Sequence, residues 1–300
     1  MSTITKVTLA GAQGNLGSAL LEQLVAAGFQ VSVLTRQDSY RTFPSTVVVK
    51  PVNYDSLDSL TDALRGQDAV VSALNDAGIP KQFNLIEAAI KAGVKRFIPS
   101  DFGSNTFNEK SEKLPGYKPK VDTHDALAKA AANSDLTWTV VINGPWLDWG
   151  VAVGFLANYK DRTIELPDGG DRKASVTSLP TIGRTVAAVL KNPEATKNRA
   201  VYVQEAAISQ KDLENYLKKA VGADGWKENV TSIDEDLKQA LEEIKKPQAN
   251  LRSVHMACLK AAIWGIGYGG LFEKLDNELL GIKQLSDAEV QALVAKSVSK

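Results

Sequence analysis

Residues 6–17 read KVTLAGAQGNLG, and this stretch decides the fold. Residues 7–10 are apolar, as in a strand buried on both faces, and are followed by Gly11, Gly14 and Gly17. Leucines then recur at helical spacing, at Leu16, Leu20 and Leu24. Glycines in this pattern permit a tight turn, close approach of the backbone to a pyrophosphate, and close packing of helix on strand. The stretch therefore predicts a strand, a phosphate-binding loop and a helix.

The glycine spacing is G-x-x-G-x-x-G, one residue longer at the front than the usual dinucleotide-binding fingerprint. An ordinary glycine turn between a strand and a helix is the alternative interpretation. The strand before the loop and the helix after it favour dinucleotide binding. In this part of the chain the predicted cofactor residues are Gly11, Gln13, Gly14, Asn15, Leu16, Ala73 and Leu74.

Six short apolar, largely β-branched segments lie in the first half of the chain, with helical patterns between them. They span residues 7–10, 30–35, 47–51, 69–72, 96–99 and 137–143. Strands and helices in alternation favour a parallel sheet with right-handed crossovers. The predicted fold is α/β, a Rossmann-type doubly wound parallel sheet with a smaller, mainly helical substrate lobe.

The pattern changes after Pro145. A helix predicted at 181–190 and a strand at 200–204 return to the main sheet, and the chain is mainly helical from Ser209 onward. Ser209 marks one helix start, and residues 286–289 mark another because they form a capping box that begins at Ser286. We predict a cofactor-binding domain over residues 1–150, with a returning portion at about 174–205. A substrate-binding lobe would take residues 151–173 and 206–300.

The balance of charged residues favours a small-molecule partner. The 35 Lys and Arg residues balance 35 Asp and Glu residues, so a broad attraction to nucleic acid or to an anionic membrane has no source. The apolar stretch at 256–270 contains Lys260 and several glycines, and it is shorter than the roughly 20 residues of a membrane span. We expect a small-molecule substrate, no nucleic acid, no membrane, and a monomer or homodimer.

Cysteine and histidine are scarce. The single cysteine, Cys258, cannot form an internal disulfide, and His124 and His255 provide no metal-ligand spacing. We therefore predict no metal, and structural roles for His255 and Cys258. The first residues run into a strand without the pattern of a signal peptide, which predicts a cytoplasmic protein.

Arg36 follows the second predicted strand. An acidic residue there would bind a ribose 2′-hydroxyl, whereas an arginine can pair with a 2′-phosphate. Arg36 thus favours NADP(H) over NAD, and Arg41 is a second candidate. The alternative is a solvated surface arginine, and Asp38 is interpreted as a turn residue.

Two further segments carry a family resemblance. Residues 98–103, IPSDFG, resemble the PSEFG signature of isoflavone reductases and phenylcoumaran benzylic ether reductases. Residues 143–149, NGPWLDW, resemble a G-x-F-x-D-W stretch of fungal NmrA-like proteins. The chain thus resembles the NmrA-like and isoflavone reductase-like group of atypical short-chain dehydrogenases. Ser100 and Phe102, just past a strand end, are predicted to lie at the nicotinamide.

The resemblance also implies a lysine in the active site. The common short-chain dehydrogenases use a Tyr-x-x-x-Lys pair, but Tyr117 has Val121 four residues on. The isoflavone reductase group relies instead on a lysine at the start of the helix before the sixth strand. Lys120 matches that position, and Lys118 is the near rival. A solvated lysine in a charged loop is the alternative interpretation.

His124 follows Lys120 at i+4, so the two share one helix face. We hypothesise that His124 assists substrate binding or proton relay, against a histidine with only a local hydrogen bond. Trp146 and Trp149 either line an aromatic pocket or pack between lobes. This chain has Trp146 where the plant reductases usually have phenylalanine. The resemblance therefore does not imply that this chain acts on the plant substrates.

These residues predict an NADPH-dependent reductase of secondary metabolism that acts on a small aromatic or conjugated metabolite. Lys120 would protonate or stabilise the oxygen that gains charge. Two alternatives stay open: an NmrA-like redox sensor that binds NAD(P) without turnover, and an isomerase that retains the cofactor.

Overall fold

The computed structural model describes residues 3–39 and 42–299. Within them the strands are β1 (Lys6–Ala10), β2 (Gln30–Arg36), β3 (Val48–Val52), β4 (Ala69–Ser72), β5 (Arg96–Ile98), β6 (Thr137–Ile142), β7 (Thr163–Pro167), β8 (Ala174–Val176), β9 (Arg199–Tyr202), β10 (Ala206–Ile208) and β11 (Lys227–Thr231). The α-helices are α1 (Asn15–Ala26), α2 (Leu57–Leu64), α3 (Gln82–Lys91), α4 (Lys118–Asn133), α5 (Leu147–Ala152), α6 (Leu179–Lys191), α7 (Pro193–Thr196), α8 (Gln210–Val221), α9 (Ile233–Glu243), α10 (Leu251–Trp264), α11 (Asn277–Leu280) and α12 (Asp287–Val298). Short 3₁₀ helices lie at Asp76–Lys81 and Pro115–Tyr117.

Seven strands form the main sheet, in the order β3-β2-β1-β4-β5-β6-β9. The pairs from β3 through β6 are parallel, with Ala10 opposite both Leu34 and Ser72. This is the strand order of doubly wound folds, in which ligands bind beyond the carboxyl ends of the strands. The predicted Rossmann-type parallel sheet is confirmed, and all six predicted strands are present within a residue or two.

The chain divides into two compact units. The first comprises Met1–Phe102, Pro119–Val141 and Leu179–Val201, and it contains nearly all of the main sheet. Two of its helices, α1 and α6, approach closely at Gly183. A Cβ at that position would lie 2.8 Å from the Ala19 carbonyl oxygen. Only a glycine permits that approach.

Buried Arg96 links several elements of the first unit by hydrogen bonds. Its side chain is fully buried, and its guanidinium donates to the hydroxyls of Thr137, Thr139 and Thr196 at 2.8–3.0 Å. It also donates to the Pro193 carbonyl at 2.6 Å. Burial lowers the pKa of Arg96 to about 10. A buried cation is tolerated when hydrogen bonds satisfy it, and here they join β5, β6 and α7.

The second unit comprises Gly103–Lys118, Ile142–Ser178 and Tyr202–Lys300. Its strands form two small sheets, β10 with β8 and β11 with β7, among helices α5 and α8–α12. The predicted capping box at Ser286 is confirmed, and Ser209 caps α8 in the same way. Cys258 lies in an apolar cluster, where burial raises the pKa of its thiol. The predicted lobe boundaries remain a prediction.

In the described part of the chain, the helices are too short or too polar for any of them to traverse a bilayer.

Candidate active site

A crevice of about 850 Å³ lies at the carboxyl edge of the sheet in the first unit. The loops after β1, β2, β3 and β4 bound it, because the parallel register brings the ends of these strands to one edge. Six of the predicted cofactor residues line it: Gly11, Gln13, Gly14, Arg36, Ala73 and Leu74. Asn15 and Leu16 form the first turn of α1, beside that loop.

The three loop glycines have different structural roles. Gly11 has a φ of 81°, and a Cβ there would lie 2.4 Å from the Ala73 carbonyl oxygen. A Cβ at Gly17 would lie 2.0 Å from the Gly11 carbonyl oxygen, so this glycine lets α1 pack on the loop. At Gly14 the nearest atom would be the Gly11 oxygen, at 3.6 Å. Gly11 and Gly17 therefore shape the loop, while Gly14 leaves space beside the crevice.

The start of α1 is suited to an anion. Gly14 is its N-cap residue, and within the described residues no side chain accepts a hydrogen bond from the first-turn N–H groups. No acidic residue lies in that turn. The free N–H groups and the positive end of the helix dipole together favour a phosphate. A dinucleotide pyrophosphate thus fits the residues present.

Arg36 lies at the end of β2 with 80% of its side chain exposed. Its Nε is 3.9 Å from the Asp38 carboxylate, which also lines the crevice. Nearby, the Gln13 amide donates to the Ser39 hydroxyl at 2.9 Å and joins the glycine-rich loop to the loop after β2. The exposed side chain of Arg36 thus lines the crevice beside an anionic neighbour, Asp38. Arg41 lies outside the described residues.

Sequence reasoning missed the side of the crevice formed after β3. Asn53, Tyr54 and Asp55 line it, and Asp55 pairs with Lys81 from the 3₁₀ helix. Asn84 donates to the Tyr54 carbonyl at 3.0 Å, and burial raises the pKa of the Tyr54 phenol. The rule that ligands meet the carboxyl ends of strands could have identified residues 53–55, because β3 was predicted.

A second group of polar residues lies on and beside α4. Lys120, in the first turn, donates to the Asp101 carbonyl at 2.7 Å, and its Nζ is 3.8 Å from the Asp101 carboxylate. One turn on, His124 Nε2 lies 2.5 Å from the other carboxylate oxygen. The side chains of Lys120, His124 and Asp101 are 17%, 9% and 2% exposed. Lys118 is exposed to solvent.

Asp101 was not predicted as a site residue, because with Ser100 it also fits a turn or cap pair. Ser100 donates its hydroxyl to the Leu74 carbonyl at 2.6 Å, which ties the end of β5 to the crevice wall. Phe102 is buried with a φ of 37°. This conformation costs a non-glycine residue about 1–3 kcal/mol, so neighbouring contacts must hold it.

Three aromatic residues considered in the sequence, Tyr117, Trp146 and Trp149, lie in the second unit. Trp146 and Trp149 are half-buried and pack edge to face, with ring centroids 5.5 Å apart. Tyr117 is buried, and its hydroxyl donates to Ser104 at 2.8 Å. Tyr117 thus has a structural partner of its own, in keeping with the lack of a Tyr-x-x-x-Lys pair.

Sequence comparison identifies relatives over nearly the whole chain. A model of the NmrA-like family matches residues 3–260. "Oxidoreductase aprR" of Aspergillus flavus is 34% identical, with 97% of this chain and 99% of the relative covered. "Oxidoreductase poxI" of Penicillium oxalicum is 31% identical, with 96% and 93% covered.

Solved structures share the fold. The binary complex of leucoanthocyanidin reductase with NADPH, from Vitis vinifera, superposes with a TM-score of 0.76. The match covers 98% of this chain and all of that one, at 17% identity. At this identity the likeness concerns the fold.

Proposed function

Because this chain belongs to the NmrA-like family and is an oxidoreductase, as predicted, we propose that it is an NADPH-dependent reductase. Its substrate would be a small aromatic or conjugated metabolite. The observation that carries the proposal is the crevice, because both Arg36 and the loop that leads into α1 line it, and the N-terminus of α1 has no side-chain cap among the described residues. An anion-binding helix start beside an arginine matches a pyrophosphate and a 2′-phosphate.

The residues divide the binding of the cofactor between them. Gly11, Gln13 and Gly14, with the first turn of α1, would hold the pyrophosphate through backbone N–H groups. Arg36 would pair with the 2′-phosphate, which NAD lacks. The Vitis vinifera neighbour binds NADPH, which supports this choice. Ser100 and Phe102 would lie toward the nicotinamide end.

NADPH supplies the hydride when it is bound. Hydride addition to carbon leaves negative charge on the substrate oxygen, which a proton donor or a cation must neutralise. Lys120 would fill this role, since Asp101 holds its amine and only 17% of its side chain is exposed. His124, on the same helix face, was predicted as a proton relay and stays a prediction. That Trp146 and Trp149 line an aromatic pocket likewise stays a prediction.

The test uses two lysine variants of one helix. Lys120→Ala should still be stabilised by NADPH in a thermal melt, but its oxidation of NADPH with a panel of aromatic enones and aldehydes should fall about 10²-fold or more. Lys118→Ala should keep turnover, because Lys118 is exposed.

Three outcomes would contradict the proposal. Absence of stabilisation by NADPH would rule out the cofactor site. Stabilisation without oxidation of NADPH by any acceptor would favour a redox sensor. Full turnover by Lys120→Ala would leave the lysine without its proposed role.

A further inference from the structure

Asp101 connects the two side chains of α4 that were singled out in the sequence. We propose that Asp101 is the positioning residue that holds Lys120 in place, and that His124 acts by holding Asp101. The proposal rests on the proposed function only in giving Lys120 its chemical role. The juxtaposition itself follows from the contacts of three residues in the first unit.

The two carboxylate oxygens of Asp101 have different partners. Oδ2 lies 2.5 Å from His124 Nε2, and Oδ1 lies 3.8 Å from Lys120 Nζ. Lys120 also donates to the main-chain carbonyl of the same residue, at 2.7 Å. One residue thus holds the lysine amine by a hydrogen bond to its carbonyl and by an ion pair with its carboxylate. Because Lys120 and His124 are four residues apart on a helix, both reach Asp101 from one face.

The backbone on each side of Asp101 is also fixed. Ser100 donates its N–H to the Gln82 side chain at 2.8 Å and its hydroxyl to the Leu74 carbonyl at 2.6 Å. Phe102 is held at a φ of 37°, a conformation that persists only where surrounding contacts determine it. Since the Asp101 carbonyl lies between these two residues, its direction toward Lys120 is set by the fold.

Burial distinguishes this carboxylate from the exposed carboxylate of Asp125 on the helix. The Asp101 side chain is 2% exposed, whereas Asp125, also adjacent to His124, is exposed to solvent. A buried carboxylate is stable when it is paired and hydrogen-bonded, and α4 provides Lys120 and His124 as partners. Asp101 therefore acts on the chemistry through Lys120, whose amine it orients.

The test measures the amine of Lys120 directly and needs no substrate. Full-length protein is labelled with trace acetic anhydride, and the acetylation rates of Lys120 and Lys118 are read by mass spectrometry. Lys118 lies two residues away on the same helix and is exposed, so it serves as the internal reference. Asp101→Asn should raise the ratio of Lys120 to Lys118 labelling about fivefold, because the amine loses its charged partner.

Two further variants keep the test decisive. His124→Gln should raise the same ratio by a smaller factor. It weakens the contact that holds the Asp101 carboxylate and leaves Lys120 itself unchanged. Asp125→Asn, a matched change at an exposed carboxylate, should leave the ratio unchanged. If Asp101→Asn fails to fold by circular dichroism, His124→Gln decides.

An unchanged labelling ratio in both Asp101→Asn and His124→Gln would overturn the proposal. A purely structural role would lower the melting temperature without altering the ratio, which also counts against it. Turnover provides a separate readout: Asp101→Asn should lower kcat about tenfold while KM for NADPH stays within about twofold. A changed ratio in a protein that never oxidises NADPH would refute the proposed function and leave the positioning by Asp101 supported.

Discussion

The crevice and the Asp101 group lie in the same unit, yet they are built in opposite ways. On its glycine-rich side the crevice depends on missing side chains, since Gly11 and Gly14 leave that part of the wall to the backbone and Gly17 lets α1 pack on the loop. The Asp101 group depends on side chains that are present, buried and paired: Lys120, His124 and the carboxylate between them. One site is open to solvent, and the other is nearly closed to it.

The difference indicates how each site should respond to change. A backbone site fails when a new Cβ fills its space or forces the loop to move. A side-chain site fails when one charge loses its partner inside a region of low polarity. Substitutions that add atoms should therefore affect the crevice most, and substitutions that remove charge should affect the Asp101 group most.

The largest effect on stability is expected at Gly11. Gly11→Ala places a Cβ 2.4 Å from the Ala73 carbonyl oxygen, at a φ of 81°. We expect the free energy of unfolding to fall by about 3 kcal/mol or more, from backbone strain plus the clash. Urea denaturation measures it.

Gly28→Ala is the matched control, because Gly28 has a φ of 89° and no atom within 4 Å of the added Cβ. It should cost about 1 kcal/mol, the strain alone. Equal losses at the two positions would show that close approach to the Ala73 backbone does not matter.

A smaller effect is expected at Arg36, and it concerns which cofactor binds. Arg36→Ala should weaken NADPH binding about tenfold and leave NADH binding nearly unchanged, because only NADPH has the 2′-phosphate. The factor stays modest because the side chain is 80% exposed and screened by solvent. Titration of both cofactors by fluorescence measures it.

Asp38→Asn should shift the preference in the other direction. The Asp38 carboxylate lies 3.9 Å from the Arg36 Nε, and its negative charge would repel the 2′-phosphate. Asp38→Asn removes that charge. Equal losses of NADPH and NADH affinity in Arg36→Ala would indicate a general role in binding instead.

The smallest effect concerns Asp68, a carboxylate directly before β4, at the opposite end of that strand from the crevice. Burial opposes its ionisation, but N–H groups of Lys6 and Thr5, the Thr5 hydroxyl and nearby Lys95 hold the pKa of Asp68 below its usual value. A lowered pKa stabilises the fold above the unfolded-state pKa, and the effect is lost as pH falls through the folded-state pKa.

Asp68→Asn should therefore lower the free energy of unfolding by about 1 kcal/mol at pH 7, and by progressively less below about pH 4. Denaturation at several pH values measures this, and NADPH affinity should not change. A deficit that does not vary with pH would show that the charge of Asp68 contributes nothing.

The first half of the fold was readable because its patterns are local. Apolar β-branched segments and the leucines after Gly17 identify strands and helices without knowledge of distant residues. The crevice was only partly readable. The glycine-rich loop and Arg36 follow predicted strands directly, whereas Lys81 joins the crevice through its ion pair with Asp55, 26 residues away.

The sequence alone determined the order of strands and helices and the glycine-rich loop, and its resemblance to the isoflavone reductase-like group identified Lys120 near the start of a helix. These features depend on residues close together in the chain. Only the tertiary structure decided that Asp101 lies against Lys120 and His124. Asp101 follows β5 and the two partners lie on α4, 19 and 23 residues later, so a contact between them depends on how the helix packs on the sheet. The separation of Asp101 from Lys120 and His124 along the chain does not specify that packing.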